Sequence, residues 1–433
     1  KMEEQKSNFN ALKSKDKELV WHPYTQEKTA GENVFIAKGE GAYLFDENGK
    51  KYLDANASWW TNTHGHAHPY IAQKLFEQAS TLEHVIFAGY THEPAIRLAE
   101  KLQPFLPENQ AKFFYSDNGS TAVEVALKMA FQFWFNQGEK RTTILAFENA
   151  YHGDTFGAMS VSARGLFTDP FKPLLFDVVT MPVPTRENIA ALLVQIEELL
   201  QQHKFAGFIY EPLVQGSHGM NIYEADLLNQ ILAKLQSENV LLIADEVFTG
   251  FGRTGKFLAS DYVATQANIF CFSKGLTAGV LPLGLTTCSQ KIYDIFYSND
   301  KTKTLFHGHS FSGNPIGCAV ALASLDVFEM ENTMERVARI ESWHASFIPR
   351  LASHKNVVNI AQQGTILRFE VLNENETSYT NPLKENAISF FRERGIMLRP
   401  LGNVMYFLPP YCVNENDLEH LYKTTEAFLK QLQ

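Results

Sequence analysis

The sequence lacks the features of several protein classes. It has no run of 18 uncharged apolar residues, so we predict no transmembrane helix. Its four cysteines are widely separated and include no C-x-x-C pair, which argues against a disulfide framework and against a zinc site built on cysteines. Together with the absence of an apolar leader in the first residues, the cysteine pattern predicts a cytoplasmic protein.

Basic residues are also in short supply. The chain has 38 Lys and Arg against 48 Asp and Glu, a net charge of −10, which argues against a nucleic-acid-binding surface. Internal repeats and low-complexity linkers are missing, and the most loop-like stretch is 373–378. The remaining composition, 45% hydrophobic and 20% charged over 433 residues, is typical of a globular protein with about two or three domains.

Two short apolar runs each end in a charged residue. Residues 240–244 lead into Asp245, and residues 269–273 lead into Lys274. Both runs have the pattern of buried parallel strands, and ligands of open α/β sheets bind at the carboxyl ends of such strands. A lysine that forms a Schiff base, with an aspartate facing the pyridinium nitrogen, is the arrangement that holds pyridoxal phosphate. The alternative is a surface lysine and a helix-capping aspartate.

A candidate anion site lies between a predicted strand at 111–115 and a predicted helix at 122–136. The junction carries Gly119, Ser120 and a threonine. Backbone N–H groups and the positive end of the helix dipole favour a phosphate at such a junction. A plain Ser or Thr N-cap explains the same residues, and the pattern alone does not decide between the two.

The order of elements predicts the fold class. A strand at 142–147 ends near Tyr151, whose flat ring can stack on a planar cofactor, and strands alternate with helices through 111–275. This alternation predicts a parallel, right-handed α/β sheet. Other predicted elements are a frayed segment or short helix at 1–18, a helical stretch from 316 to about 352, and an α+β region from 356 to 433 with a strand at 397–399.

Aromatic residues cluster in two polar stretches. Trp21 and Tyr24 lie on either side of a proline, where they either dock the N-terminal segment or line a pocket. Trp59 and Trp60 are adjacent in a polar loop, which favours a wall of an apolar ligand pocket.

Two further motifs point to other ligands. His64, His66 and His68 alternate as metal-binding imidazoles do, but such spacing needs a strand, which the neighbouring glycine and proline disfavour. We therefore predict a rigid loop and no metal site. Residues 250–255 match G-x-G-x-x-G, yet they lie five residues beyond the strand and no helical pattern follows, so we predict a loop beside the cofactor rather than a dinucleotide site.

The chain as a whole resembles a known family. The run LLIADEVFTGFGRTG at 241–255, with Ser-Lys-Gly at 273–275 downstream, is similar to the signature of the class III pyridoxal-phosphate aminotransferases of fold type I. The resemblance extends from about residue 19 to the end. It implies an α/β fold: a large cofactor-binding domain at 61–330 with a mixed, mostly parallel sheet, and a small α+β domain built from 1–60 and 331–433.

Within that class the chain resembles the aminotransferases of biotin biosynthesis. The markers are WHPYT at 21–25, SWW at 58–60, AYHGDTFGAMS at 150–160 and LRP at 398–400. These enzymes aminate 7-keto-8-aminopelargonate by a ping-pong mechanism, usually with S-adenosylmethionine as donor and in some members with lysine. The resemblance implies pyridoxal 5′-phosphate as cofactor, these small molecules as substrates, and a homodimer with shared active sites, without nucleic-acid or membrane partners.

The family's functional residues carry over by motif. Lys274 resembles the Schiff-base lysine and proton shuttle, Asp245 the pyridinium partner, and Tyr151 the residue stacked near the ring and touching substrate. The other implied residues bind the phosphate (Gly119, Ser120), wall the substrate pocket (Tyr24, Trp59), clamp the acceptor carboxylate (Arg399), or belong to a loop from the other subunit that reaches cofactor and substrate (Gly308, His309, Ser310).

That loop departs from the family pattern. Many members that use S-adenosylmethionine have His-Gly-Pro-Thr, whereas residues 307–310 read HGHS. Ser310 can still donate to a phosphate, but the imidazole of His309 leaves the amine donor less determined than the reaction class. The alternatives are the same reaction with lysine as donor, another class III ω-aminotransferase, and an inactive scaffold. The sub-family markers argue against the second, and the intact lysine and aspartate argue against the third.

Overall fold

The structure, a computed structural model, describes the backbone of residues 2–432 and the side chains of residues 8–432. The helices are α1 (Met2–Leu19), α2 (Ala57–Trp60), α3 (Pro69–Thr81), α4 (Glu93–Leu102), α5 (Gly119–Phe135), α6 (Phe156–Ser160), α7 (Ile189–Gln202), α8 (Ala225–Ser237), α9 (Gln290–Phe296), α10 (Pro315–Met330), α11 (Thr333–Ala352), α12 (Leu383–Glu393) and α13 (Glu415–Gln431). The strands are β1 (Ile36–Glu40), β2 (Tyr43–Asp46), β3 (Lys51–Asp54), β4 (Gln110–Ser116), β5 (Thr143–Phe147), β6 (Val178–Met181), β7 (Phe205–Tyr210), β8 (Val214–Gln215), β9 (Asn221–Ile222), β10 (Leu241–Asp245), β11 (Ile269–Phe272), β12 (Gly284–Ser289), β13 (Val357–Gln363), β14 (Ile366–Val371), β15 (Ile396–Met397) and β16 (Val404–Phe407).

A seven-stranded sheet organises the middle of the chain. Its order is β4-β12-β11-β10-β7-β5-β6, and only β12 runs antiparallel to its neighbours. The predicted mixed, mostly parallel α/β sheet is therefore confirmed. Because β10 and β11 are adjacent and parallel, with Asp245 paired to Cys271, the segments that follow both strands leave the same edge of the sheet. Lys274 lies two residues beyond β11, so Asp245 and Lys274 meet at that edge.

Both faces of this sheet are covered. Along β10, Leu242 and Ala244 belong to one buried apolar cluster, while Leu241 and Ile243 belong to another that includes the inner face of α5. All residues of β7, β10 and β11 are buried. A strand covered on both faces reads as a continuous apolar run, which explains why these strands are recognisable in the sequence.

The N-terminal and C-terminal parts of the chain meet in smaller sheets. β15 pairs in parallel with β3 in the four-stranded sheet β1-β2-β3-β15, and β13-β14-β16 form an antiparallel sheet beside it. This pairing supports the predicted small domain formed by both termini. The boundaries after residues 60 and 330 stay a prediction, although α10 ends at Met330.

Several predicted elements are wrong in extent. Residues 1–18 were predicted as a frayed segment or a short helix, and helix α1 is longer than that, with 18 residues. The helical stretch 316–352 consists of two helices separated at Asn332, whose left-handed backbone (φ 49°) interrupts the helical pattern. The predicted strand 397–399 ends at Met397, because the N–H of Arg399 donates to the Asn56 side chain, 2.6 Å away, instead of a strand. Strands β6 and β12 and helices α7 and α9 are absent from the sequence prediction.

Within the part of the chain that the structure describes, no helix is long and apolar enough to span a membrane. Cys271, Cys288, Cys318 and Cys412 are all free thiols.

Candidate active site

Two adjoining cavities lie at the carboxyl edge of the large sheet. The sheet-edge cavity, about 390 Å³, includes Gly119, Ser120, His152, Glu211 and Asp245 in its lining. The aromatic cavity, about 360 Å³, includes Tyr24, Trp59, Phe167, Tyr379, Arg399 and Tyr406. Trp60, Thr61, Tyr151 and Lys274 line both cavities, so the predicted lysine lies where the two meet.

Lys274 is held in an apolar surrounding with a strained backbone. Its φ is 46°, in the left-handed region that a residue with a side chain adopts rarely. The Nζ atom lies 4.9 Å from the ring centroid of Trp60 and 5.7 Å from that of Phe248. Burial lowers the pKa of Lys274 to about 8, although the nearby carboxylates of Asp245 and Glu211 oppose the shift. About a tenth of the amine is therefore neutral at pH 7.

Asp245 forms a buried pair with His152. His152 Nδ1 lies 2.6 Å from Asp245 Oδ2, and Asp245 Oδ1 accepts the N–H of Val247 at 3.1 Å. These two contacts fix the orientation of the Asp245 carboxylate. The other ring nitrogen of His152, Nε2, is buried without a hydrogen-bond partner among the described residues. His152 is absent from the residues predicted above, and its only signal in the sequence is its position beside Tyr151 after a strand end.

Glu211 is a second buried acid at this edge and was also not predicted. It follows β7 directly, and its carboxyl group accepts the backbone N–H groups of Tyr151 and Gly216, both at 3.1 Å. Burial raises the pKa of Glu211 to about 7, partly offset by His152. This group therefore changes charge near neutral pH, while Asp245 supplies the negative charge of the cavity.

The N-terminus of α5 forms one end of the sheet-edge cavity. Asn118 is the N-cap: its side chain accepts the N–H of Thr121 at 2.9 Å, and the Thr121 hydroxyl oxygen accepts the N–H of Asn118 at 3.0 Å. Gly119 and Ser120 line the cavity beyond this cap. A Cβ on Gly119 would lie 2.6 Å from Val247 Cγ1, so no side chain fits there. The cap is Asn118, so the alternative of a Ser or Thr N-cap is wrong, while the anion site at Gly119 and Ser120 stays a prediction.

The residues of the sheet-edge cavity fit pyridoxal phosphate. The positive end of a 17-residue helix at Gly119 and Ser120 suits the phosphate, and Asp245 suits a protonated ring nitrogen. Tyr151 and Val247 provide walls for a flat ring, and Lys274 supplies the amine. The buried Nε2 of His152, without a hydrogen-bond partner among the described residues, is the kind of polar atom that a bound ligand satisfies.

Tyr24 is part of the aromatic cavity. Its ring lies edge-on to Trp59 at 5.5 Å and to Phe167 at 5.7 Å, and its hydroxyl donates to Asp154 Oδ2 at 2.5 Å. Burial, followed by Asp154, raises the pKa of Tyr24 to about 12, so the hydroxyl stays protonated. Trp21, by contrast, is 87% exposed. Tyr24 therefore lines this cavity, and the same contacts also dock the N-terminal segment, so the structure is compatible with both alternatives.

Arg399 brings a cation into the same cavity. Its guanidinium carbon lies 5.6 Å from the ring centroid of Trp59, and no carboxylate within the described residues pairs with it. The bond from its N–H to Asn56 fixes the backbone. A cation among aromatic rings, with Lys274 at the far side of the lining, suits a ligand with an apolar chain and a carboxylate.

The predicted loop at 308–310 is not brought into either cavity of its own chain. His309 Nδ1 instead lies 2.9 Å from Asp117 Oδ2, next to the start of α5. Nothing in a single chain therefore places Gly308, His309 or Ser310 against cofactor or substrate.

The two competing motifs have structural roles. The imidazoles of His64, His66 and His68 contact separate partners: the Ser324 carbonyl at 2.9 Å, the Asp54 carboxylate at 2.9 Å and the Glu331 carboxylate at 3.0 Å. Residues 250–255 form turns, as predicted, but line neither cavity. Arg253 within them is buried and donates to the carbonyls of Asn62 (2.8 Å) and Pro409 (3.0 Å), which braces this region.

Comparison with known proteins agrees with this site. Residues 24–429 match the family model described as aminotransferase class-III. The chain is 44% identical over 421 residues to the adenosylmethionine-8-amino-7-oxononanoate aminotransferase of Synechococcus elongatus, covering 95% of this chain and 99% of that protein.

Solved structures share the whole fold. The enzyme of the same name from Methanocaldococcus jannaschii superposes with a TM-score of 0.93 at 35% identity, covering 98% of this chain and 99% of that one. An amine transaminase from an uncultivated Pseudomonas species, solved in a pyridoxal-phosphate-bound form, superposes with a TM-score of 0.90 at 29% identity, covering 96% and 99%.

Proposed function

The chain belongs to the class-III aminotransferase family, a pyridoxal-phosphate-dependent family, and we propose that it aminates 8-amino-7-oxononanoate (7-keto-8-aminopelargonate) to 7,8-diaminopelargonate in biotin biosynthesis. The observation that carries this proposal is a single aromatic cavity with Lys274 and Arg399 in its lining. Identity is also higher to the two relatives named for this acceptor, 44% and 35%, than to the amine transaminase, 29%.

Pyridoxal phosphate, when bound, supplies an electron sink for negative charge at the carbon that carries the amine. Lys274 binds it and moves the proton at that carbon, for which its lowered pKa is suited because a base must be neutral to accept a proton. Asp245, with His152 donating through Nδ1, keeps a negative charge at the inner end of the cavity. The N-terminus of α5, with Gly119 and Ser120, binds the phosphate.

The aromatic cavity orients the acceptor. Arg399 binds its carboxylate, since a guanidinium pairs with a carboxylate through two parallel hydrogen bonds. Tyr24, Trp59 and Tyr151 cover the methylene chain and exclude water from the reacting carbon. The acceptor is thereby held at both ends, with its ketone beside Lys274.

The amine donor in this proposal is S-adenosylmethionine, which the names of the relatives carry. Asp154, an exposed carboxylate in the aromatic cavity, is a suitable partner for a cationic donor. Lysine is the alternative donor, because it is cationic as well and because residues 307–310 read HGHS.

The proposal includes a homodimer in which residues 308–310 of one subunit complete the site of the other. Two observations support it. These residues contact neither cavity of their own chain, and the rings on either side, Phe306 and Phe311, are 73% and 61% exposed. Aromatic residues are enriched at protein–protein interfaces, so two exposed rings beside this loop fit a partner chain at this position.

Product analysis tests the reaction. The holoenzyme is incubated with 8-amino-7-oxononanoate and either S-adenosylmethionine or lysine, and the diamine is identified by mass spectrometry. We expect the diamine with S-adenosylmethionine. Fast turnover of 4-aminobutyrate with 2-oxoglutarate, with no diamine from either donor, would contradict the proposal and favour another ω-aminotransferase.

A further inference from the structure

The aromatic cavity contains a side chain from an unexpected source. Residues 372–378 and 380 are exposed, as expected for the most loop-like stretch of the sequence, but Tyr379 is partly buried and lines the cavity. This loop belongs to the region between β14 and α12, far in sequence from the strand ends that carry the chemistry.

Tyr379 closes the cavity together with Phe167. The two rings meet edge to face, with centroids 5.1 Å apart and planes at 81°. Phe167 also contacts Tyr24, and it comes from the segment after α6, more than 200 residues before Tyr379 in the sequence. The Phe167–Tyr379 pair therefore joins two loops across the space where an acceptor chain lies.

The position of Tyr379 is built into the loop. The ammonium of Lys384, a buried residue, lies 4.1 Å from the centroid of the Tyr379 ring. Asn373 and Asn381 exchange two amide hydrogen bonds, at 2.8 and 3.1 Å, and so tie the ends of the loop together. Asn403 donates to the Thr377 hydroxyl at 3.1 Å. Because the loop is held at its ends and in its middle, the Tyr379 ring has a defined position in the cavity.

The loop that carries Tyr379 packs against Gly402. The φ of Gly402 is 63°, and a Cβ on it would lie 1.7 Å from the carbonyl oxygen of Ser378 and 3.2 Å from Tyr379 Cα. Any residue with a Cβ at position 402 would clash with the Ser378 carbonyl oxygen, so only glycine allows the loop backbone to approach so closely. Gly402 is three residues beyond Arg399, so the loop that carries Tyr379 is packed on the segment that carries the carboxylate-binding arginine.

We propose that Tyr379, seated on Gly402 and paired with Phe167, is a specificity-determining residue that sets the length of acceptor chain the enzyme accepts. The proposal rests on the function proposed above. An oxo acid held by Arg399 at one end and reacting beside Lys274 at the other has a fixed span, so additional methylenes must bulge against the walls. A closed aromatic pair resists that bulge, and a missing ring admits it.

The test compares two acceptors in Tyr379→Ala, Tyr379→Phe and the unchanged holoenzyme. One is 8-amino-7-oxononanoate, and the other is its homologue with two more methylenes, 10-amino-9-oxoundecanoate. We expect kcat/KM of the unchanged enzyme to favour the shorter acid, and Tyr379→Ala to lower that ratio by about tenfold or more, since pocket shape around one or two methylenes discriminates roughly 10- to 200-fold. Tyr379→Phe keeps the ring and should keep the ratio.

Equal losses with both acceptors in Tyr379→Ala would overturn the proposal, because a purely structural role lowers both alike. Failure of the unchanged enzyme to use either acceptor would instead overturn the proposed function. Tyr297→Ala is the matched control, since Tyr297 is 77% exposed and lines neither cavity.

A double-mutant cycle tests whether the packing of the loop on Gly402 positions Tyr379. Gly402→Ala should lower the acceptor ratio in the same direction as Tyr379→Ala, and in the Tyr379→Ala background it should add little, because both changes remove the same contact. Gly49→Ala controls for backbone strain, since Gly49 has φ 80° with open space around its Cβ position. Fully additive effects of Gly402→Ala and Tyr379→Ala would contradict the proposal that Gly402 positions Tyr379.

Discussion

The two cavities of the site are built in different ways. The charged residues of the sheet-edge cavity lie within one stretch of the chain, between Asn118 and Lys274. Each of them lies at the carboxyl end of a strand of the seven-stranded sheet or just beyond it. The aromatic cavity also draws on stretches that are far apart in the chain, including the N-terminal segment with Tyr24, α2 with Trp59, the segment after α6 with Phe167, and two C-terminal loops with Tyr379 and Arg399.

This difference separates reaction chemistry from substrate choice. The sheet-edge cavity holds Lys274, whose pKa burial lowers, and Asp245, which His152 contacts, and both half-reactions need these two residues. In the aromatic cavity, rings and one guanidinium determine which chain is held. Changes in the first should therefore affect every substrate, and changes in the second should affect substrates unequally.

The largest effect is expected from Lys274→Ala. Loss of the amine that binds the cofactor and moves the proton should reduce turnover by at least about 1,000-fold with every donor and acceptor. The measurement is steady-state turnover, with circular dichroism to show that the fold survives.

Lys256→Ala is the matched control, because Lys256 is exposed and outside both cavities. Rates like those of the unchanged enzyme in Lys274→Ala would contradict the site assignment.

A smaller and unequal effect is expected from Arg399→Ala. Loss of a charge-assisted carboxylate contact costs about 3 kcal/mol, which corresponds to roughly 150-fold in KM for 8-amino-7-oxononanoate. The KM of the amine donor should rise several-fold at most.

Arg394→Ala serves as control, since Arg394 is exposed and stacks on Phe390 outside the cavities. Similar rises of KM for acceptor and donor would show that Arg399 does not select the acceptor. That result would contradict the assignment of substrate choice to the aromatic cavity.

The smallest effect is a pH dependence of cofactor uptake by the apoenzyme. Because burial lowers the pKa of Lys274 to about 8, the neutral amine increases as the pH rises to that value and is nearly complete above it. The rate constant of uptake, followed by visible absorbance, should rise about tenfold per pH unit below pH 8 and then level off. A rise that continues to the ordinary lysine value near pH 10.5 would show that the amine is not desolvated.

The sequence was more informative about the sheet-edge cavity than about the aromatic one. Asp245 and Lys274 follow buried parallel strands, so their strand-end positions were predictable from periodicity alone, and the structure brings them to one edge. His152 was not predictable in this way, because its role depends on reaching Asp245 across 93 positions of sequence.

In the aromatic cavity, the double tryptophan indicated a pocket wall at Trp59, whereas Arg399 was predicted only through a motif that carries the resemblance. Tyr379 has no such motif, and its place in the cavity depends on the close packing of Ser378 against Gly402. Strand β12 was also missed, although its antiparallel pairing completes the sheet. Contacts between distant segments leave little local pattern in a sequence.

The central claim is that Lys274 serves both half-reactions and that the aromatic cavity selects this acceptor. A single-turnover absorbance experiment tests this claim most directly. The holoenzyme is mixed separately with S-adenosylmethionine and with lysine, and 8-amino-7-oxononanoate is then added. We expect S-adenosylmethionine to bleach the visible band of the bound cofactor and the acceptor to restore it. Bleaching by lysine alone would keep the acceptor and change the donor. A band that neither donor bleaches, or that the acceptor does not restore, would contradict the account.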